Sequence, residues 1–180
     1  MLLLYRGESF NANFFYHSGL DLDHSFFVLD GNKKTLLVPA LNEALARDTF
    51  NGKVEVYTDP VDALKKHVNK RTIDIDGANL SMRMAGKLKK FCKLNDLTIQ
   101  LLKNRSKKRP DEVAKISRAV KYTKEIFENI DFKKARTEHD IRNQLLVQTM
   151  ELGLETAFEP IVASDKSSSY PHYQDGNRKL

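Results

Sequence analysis

A change of period along the chain constrains the fold more than any other feature. Up to about residue 102, short strand-like runs alternate with short helical ones; beyond residue 110, two long runs repeat every three to four residues. Met1-Leu2-Leu3-Leu4-Tyr5 reads as a first strand. It has no basic region, and Arg6-Gly7-Glu8 interrupts it, so it does not read as a signal peptide. Asn13 to Tyr16 reads as a short aromatic strand closed by Ser18-Gly19. Asp30-Gly31-Asn32 separates two β-rich runs, which predicts a hairpin over 24–38. Leu41 to Phe50 reads as a helix, and Val54 to Tyr57 as a strand. Asp59-Pro60 is a cap followed by proline in the first turn, so 60–69 is helical. Thr72 to Asp76 alternates as a strand, Asn79 to Lys93 reads as a helix, and Leu97 to Leu102 as a closing strand. Such alternation predicts an α/β domain over residues 1–104, with a largely parallel or mixed sheet.

Residues 105–109 read as a linker, and 110–180 as a second domain. Pro110-Asp111-Glu112 places proline and two acids in a first helical turn, where the helix dipole favours negative charge. Val113, Ile116, Val120, Phe127 and Ile130 then mark an amphipathic helix of about five turns. Thr137-Glu-His-Asp140 has the shape of a capping box, and the helix it opens stops at Gly153. Ile161-Val162-Ala163 suits a buried strand, and Ser164 to Ser169 a polar loop.

Charge and composition exclude several classes of function. The 180 residues are 41% hydrophobic and 30% charged, enough for a packed core. No run of eighteen apolar residues occurs, so no transmembrane helix is expected. The formal net charge is +6, and its one dense stretch is Lys103 to Arg109, with five basic residues in seven. That stretch lacks interleaved aromatics for base stacking, so it reads as a solvated connector and nucleic acid is not an expected partner. The lone cysteine, Cys92, excludes an internal disulfide and a thiolate zinc cluster, and suits a reducing cytoplasm.

Among candidate site residues, His172 stands out. It follows Tyr170-Pro171, and proline stiffens the approach to it. A histidine on a stiff loop after a strand can be presented to a ligand. The other candidates read as structural. Asp21-Leu-Asp23-His24 offers three potential ligands in what reads as turn chemistry. Asp74 and Asp76 share a strand face without a third carboxylate. His17, His67 and His139 show no ligand spacing, and Ser167, Ser168 and Ser169 have no His-Asp partnership. No metal ligands are assigned within the chain.

The run Ala157-Phe-Glu-Pro-Ile-Val-Ala-Ser164, followed by Ser167-Ser168 and Pro171-His172-Tyr173, resembles the first active-site segment of the pita-bread metallopeptidases. The wording is closest to their Xaa-Pro aminopeptidase, prolidase and creatinase branch. Thr137-Glu138 resembles the family's T-E position, while Arg136 and Asp165 stand where glycine is common. The resemblance implies a creatinase-like N-terminal α/β domain followed by the first part of a pita-bread α+β catalytic domain. It implies hydrolysis of an N-terminal residue from a proline-containing peptide, with His172 in contact with the substrate as a catalytic residue. It also implies two divalent metal ions (Mn, Co or Zn), whose two Asp, one His and two Glu ligands lie downstream of His172 in the family. The chain therefore reads as the N-terminal portion of such an enzyme, a fragment or split-gene half with no metal site of its own. The expected partners are a second copy or a complementary C-terminal peptidase fragment. A non-catalytic peptide-binding or dimerisation module is the other reading.

Overall fold

The structure is a computed structural model that describes residues 1–69 and 71–180. It divides into two compact units, Met1–Lys107 and Lys108–Leu180. In the first unit, β1 (Leu2–Arg6) pairs antiparallel with β2 (Ser25–Asp30), and β2 antiparallel with β3 (Lys33–Pro39). Parallel strands extend the sheet on both sides. Beside β3 lies β4 (Lys53–Tyr57); beside β1 lie β5 (Thr72–Ile75) and then β6 (Lys93–Asp96). The order β4-β3-β2-β1-β5-β6 makes a mixed sheet with β2 and β1 at its centre.

Strand alternation sends neighbouring apolar residues to opposite faces, and both faces are covered. Leu3, Phe26, Val28, Leu37 and Ile73 pack with Leu64 and Val68 of α3 (Pro60–Val68) and Leu88 of α4 (Met82–Leu88). Leu4, Phe27, Leu36 and Val38 pack on the other face. They meet Phe14 of α1 (Ala12–Ser18), Ala46 of α2 (Glu43–Thr49) and Leu101 of α5 (Thr98–Ser106). The register Leu3↔Val28 and Leu4↔Phe27 fixes which residue faces which helix layer, and a one-residue slip would exchange the two cores.

Three local expectations are corrected. Asn13 to Tyr16 is helical, inside α1. The Asn11 side chain accepts from the Asn13 and Phe14 amides at 2.8 and 3.1 Å, and Gly19 closes the helix at φ +78°. The cap decides a segment whose aromatic content favours a strand. Leu97 to Leu102 is not a strand but the start of α5. Leu97 and Leu101 turn inward at a four-residue step, while Ile99 and Leu102 are exposed. The last strand instead occupies Lys93–Asp96, so the predicted helix over 79–93 shortens to α4. The basic run follows suit, with Lys103 to Ser106 lying in α5. Cys92 is buried against the first core, and burial pushes its thiol pKa up.

In the second unit, α6 (Pro110–Glu128) and α7 (Glu138–Glu151) are capped by their own acids. Glu112 accepts from the Arg109 amide at 2.9 Å, and Asp140 from the Thr137 amide at 2.9 Å. Gln144 of α7 grips the turn between the helices, accepting from the Asp131 amide at 2.7 Å. Ile126, Ile130 and Ile141 are buried, but much of the predicted apolar stripe of α6 faces outward, with Val120 63% and Phe127 61% exposed. Ile161-Val162-Ala163 has no strand partner among the described residues, so the predicted strand there is extended chain. Asp165–Ser169 forms a short 3-10 helix, and Thr137 and Lys179 form an isolated antiparallel bridge. No described helix is long and apolar enough to cross a membrane.

Removing the Asn11 cap tests the first correction. Asn11→Ala should lower stability to urea by about 1–2 kcal/mol, as expected for a lost side-chain cap, and Asn11→Asp should fail to restore it, because the buried Asn11 Nδ2 also donates to the Tyr5 carbonyl at 2.8 Å, which a carboxylate cannot do. Equal stability of all three proteins would show that the cap does not hold α1.

Candidate active-site loop

The site begins with a capped helix terminus. Thr137 caps α7, which makes Glu138 the first helical residue. The chain's last residues close over this end. The Glu138 amide donates to Arg178 O at 3.0 Å, the His139 amide to Gly176 O at 2.7 Å, and the Leu180 amide to Arg136 O at 3.0 Å. Amides that a helix start leaves without partners are thereby satisfied.

The Glu138 side chain is fully buried and organises the loop. Its Oε1 accepts from the Ser164 amide at 2.6 Å, the Ser164 hydroxyl at 2.7 Å and the Ser167 hydroxyl at 2.9 Å. Burial opposes ionisation of this carboxyl, but hydrogen bonding from Ser164, Tyr173 and Ser167 outweighs it and holds the pKa down to about 2. Tyr173 shows the reciprocal effect: bonding to Glu138 pushes its phenol pKa up. One carboxylate thus ties the start of the loop, Ser164, to its end at Tyr173.

Between these anchors the backbone turns sharply. Asp165 has φ +48°, in the left-handed region that aspartate tolerates better than most residues and glycine best. Its carboxylate pairs with Arg178. The Ser169 hydroxyl donates to the Lys166 carbonyl at 2.8 Å and that of Ser168 to Asp165 O, so both serve the 3-10 turn. After Pro171 the chain presents His172, which is exposed and has no hydrogen-bond or ion-pair partner among the described residues. His172 lines an open cleft of about 620 Å³ together with Glu138, Arg142, Ile161 and Tyr173. An imidazole so placed can donate to, accept from, or exchange a proton with a ligand.

The remaining candidates are held in structural roles. Asp21 accepts from Arg6 Nε at 2.7 Å, and Asp23 from Asn42 Nδ2 at 3.0 Å, a bond that leads in lowering the Asp23 pKa. Asp74 accepts from Asn95 at 2.7 Å. Buried Asp76 gathers Asn13 and Asn79, each at 2.7 Å, and Thr98 at 3.2 Å. His67 meets Glu55 at 3.1 Å, and burial lowers the pKa of His17. Among the described residues no group of three or more His, Cys, Asp or Glu side chains fits a metal ion. The sequence gives Glu138 no role beyond a helix start, because an acid in a first turn ordinarily serves the helix dipole. Its burial depends on a contact 26 residues away, which no local pattern encodes. Arg142, one turn further along α7, escapes a reading by sequence for the same reason.

Lowering the pH tests the Glu138 anchor. Its folded pKa lies below the ordinary 4.5, so its stabilising contribution is in full force above that pH and is lost as the pH falls through about 2. Urea denaturation of the wild type should show this decline below about pH 4.5, and Glu138→Gln should remove that part of it. An unchanged slope in the variant would mean that Glu138 is not the titrating anchor.

Comparison with known proteins gives the loop a context. Residues 114–180 match the model of metallopeptidase family M24. No curated protein matches by sequence search. In structure, the chain is similar to an X-Pro aminopeptidase from Thermotoga maritima, with TM-score 0.84 and 24% identity over 99% of this chain and 54% of that one. It is also similar to a prolidase from Pyrococcus furiosus, with TM-score 0.76 and 22% identity over 99% of this chain and 53% of that one. A Xaa-Pro dipeptidase from Bacillus anthracis gives TM-score 0.83 and 17% identity over 99% and 52%. At these identities the likeness is one of fold. The chain spans about half the length of each of these structures.

Proposed function

We propose that this chain, which carries the M24 match over residues 114–180, works in a metallopeptidase of the Xaa-Pro aminopeptidase and prolidase type. The observation that carries the reading is that the matched segment contains the Glu138-anchored loop and presents His172 in an open cleft. In the reaction, water adds to the carbonyl carbon of the bond preceding proline, and negative charge develops on the carbonyl oxygen. An imidazole N–H from His172 donates to that oxygen most strongly in the transition state, when its charge is greatest. Pro171 and the Glu138 anchor keep the ring from wandering, which lowers the entropy lost on reaching that geometry.

Two divalent metal ions (Mn, Co or Zn) belong to this proposal, held by side chains of a second polypeptide. In this reading the part of the described residues, among which no group of three or more His, Cys, Asp or Glu side chains fits a metal ion, is to bind and orient the peptide. The partner is a second copy or a complementary C-terminal peptidase polypeptide, and the N-terminal unit restricts peptide length or mediates dimerisation. The lone Cys92 suits a cytoplasmic location.

The second reading, a non-catalytic peptide-binding or dimerisation module, draws on the exposed apolar residues of the second unit, Phe158 at 75% among them. A monodisperse monomer by light scattering at high concentration would count against its dimerising form.

Native co-purification from the source cell, followed by a Xaa-Pro dipeptide assay with added manganese or cobalt, separates the two. A partner bearing metal ligands and hydrolysis by the complex support the peptidase. In that complex His172→Ala should lower kcat by about 10²-fold or more, the usual scale for a group that serves the transition state. A variant at full rate would remove His172 from the site.

A further inference from the structure

A second cavity lies in the first unit, and the sheet topology puts it there. β1 and β5 are parallel neighbours, but the chain leaves them towards opposite faces of the sheet. After β1 it passes to α1, whose Phe14 packs on one face; after β5 it passes to α4, whose Leu88 packs on the other. Neighbouring parallel strands that part in this way open a crevice beyond their carboxyl ends, the usual place for a ligand in an α/β sheet. Here the crevice is an open cavity of about 630 Å³, walled by Gly7 to Ser9 after β1, by Ala78 to Ser81 after β5, and by Arg83 and Lys87 of α4. Its root is fixed. Buried Asp76 accepts from Asn13 of α1 and from Asn79, each at 2.7 Å, so the two diverging segments are tied to one carboxylate.

The lining has a definite polarity. Arg83 and Lys87 stand one turn apart on one face of α4. Lys87 is half-buried, and neither cation has a hydrogen-bond or ion-pair partner among the described residues. Arg6, Arg47 and Arg71 of the same unit each pair with an acid. The Ser81 hydroxyl accepts from the Met84 amide at 3.2 Å and keeps its own proton to donate. Burial, with Glu8 nearby, raises the pKa of the Tyr5 phenol, which stays protonated and can donate as well. Two positive charges and several hydroxyl donors around one space match a dianion rich in acceptor oxygens, and the arginine fork matches a phosphate. Glu8 lines the same cavity. It repels a bare dianion and accepts from hydroxyl donors on the body of a ligand. The loop after β1, Arg6-Gly-Glu-Ser-Phe10, lacks the glycine pattern of a dinucleotide site, so the ligand carries a single phosphate.

We infer that this crevice binds a small phosphate monoester with a hydroxylated body, a sugar phosphate or a mononucleotide. The phosphate lies between Arg83 and Lys87, and a sugar hydroxyl donates to Glu8. A cavity of this size suits such a molecule. The inference is independent of the peptidase reading.

The test titrates the full chain calorimetrically with ribose 5-phosphate, ribose, inorganic phosphate and AMP, and locates the site by amide chemical shifts. Ribose 5-phosphate should bind at one site, at least about tenfold tighter than ribose or inorganic phosphate, and should shift the amides of residues 7–9 and 78–87. Arg83→Gln and Lys87→Gln should each weaken it about tenfold or more, the scale of a charge-assisted hydrogen bond. Lys90→Gln, the same loss of charge outside the crevice, should leave its affinity unchanged. Glu8→Ala should tighten inorganic phosphate and loosen ribose 5-phosphate, closing the gap between them. Unchanged urea midpoints show that the variants fold. AMP tighter than ribose 5-phosphate keeps the inference and makes the ligand a mononucleotide, its base against Tyr5 and Met84; AMP no tighter keeps it as a sugar phosphate. Absence of binding, inorganic phosphate as tight as ribose 5-phosphate, shifts confined to other residues, or full affinity in both Arg83→Gln and Lys87→Gln overturns it.

Discussion

A single buried carboxylate bears the geometry of the candidate site. Glu138 sits where a helix begins, out of contact with water, and stays ionised because several donors converge on it. Removing an ionised group from water is costly unless such donors replace the lost hydration. That demand is what fixes the loop: Ser164, Ser167 and Tyr173 must be in place together, or the charge is left unmet. His172 inherits its position from this arrangement without touching Glu138 itself. The left-handed turn at Asp165 is tolerable for the same reason, since the surrounding bonds over-determine it.

The first unit follows a different logic, in which apolar burial decides. Phe26 and Phe27 are neighbours in sequence and belong to separate cores, one on each face of the sheet. This explains why β2 reads as an unbroken apolar run rather than an alternating one. It also explains the need for helices on both sides, which the alternation of strand and helix supplies. The second unit has no such two-sided burial, and its largest apolar residues lie mostly at the surface.

Legibility in the sequence tracks the range of the interactions involved. The Asp30-Gly31 hairpin, the Asp59 cap and the Thr137-Asp140 box are contacts within a few residues, and the structure has them where the sequence places them. The α/β class and the family likeness were legible as well, the latter through the wording around Ala157 to Tyr173. The structure departs from the sequence pattern where one local cue competes with another. The aromatics of Asn13 to Tyr16 favoured a strand, but the Asn11 cap and Gly19 made a helix. Leu97 to Leu102 looked continuous until its inward residues proved four apart. The pairing of α7 with a loop beyond residue 160 was out of reach, because nothing near Glu138 or Arg142 signals burial.

The place of β1 bears on how the chain is made. The Met1 carbonyl just before it accepts from the Asp74 amide at 2.8 Å, so this end of β1 is pinned by a residue that follows much later in the sequence. The strands β1 to β4 line up in the order of translation, yet the sheet then continues from the opposite flank, beyond β1. A nascent chain that has emerged only through β4 therefore presents β1 as a bare border, with Leu3 and Leu4 lacking part of their cover. The β1 edge of the sheet is completed only when residues 72–75 are available to pair with it, so the first unit closes late relative to its own strand order.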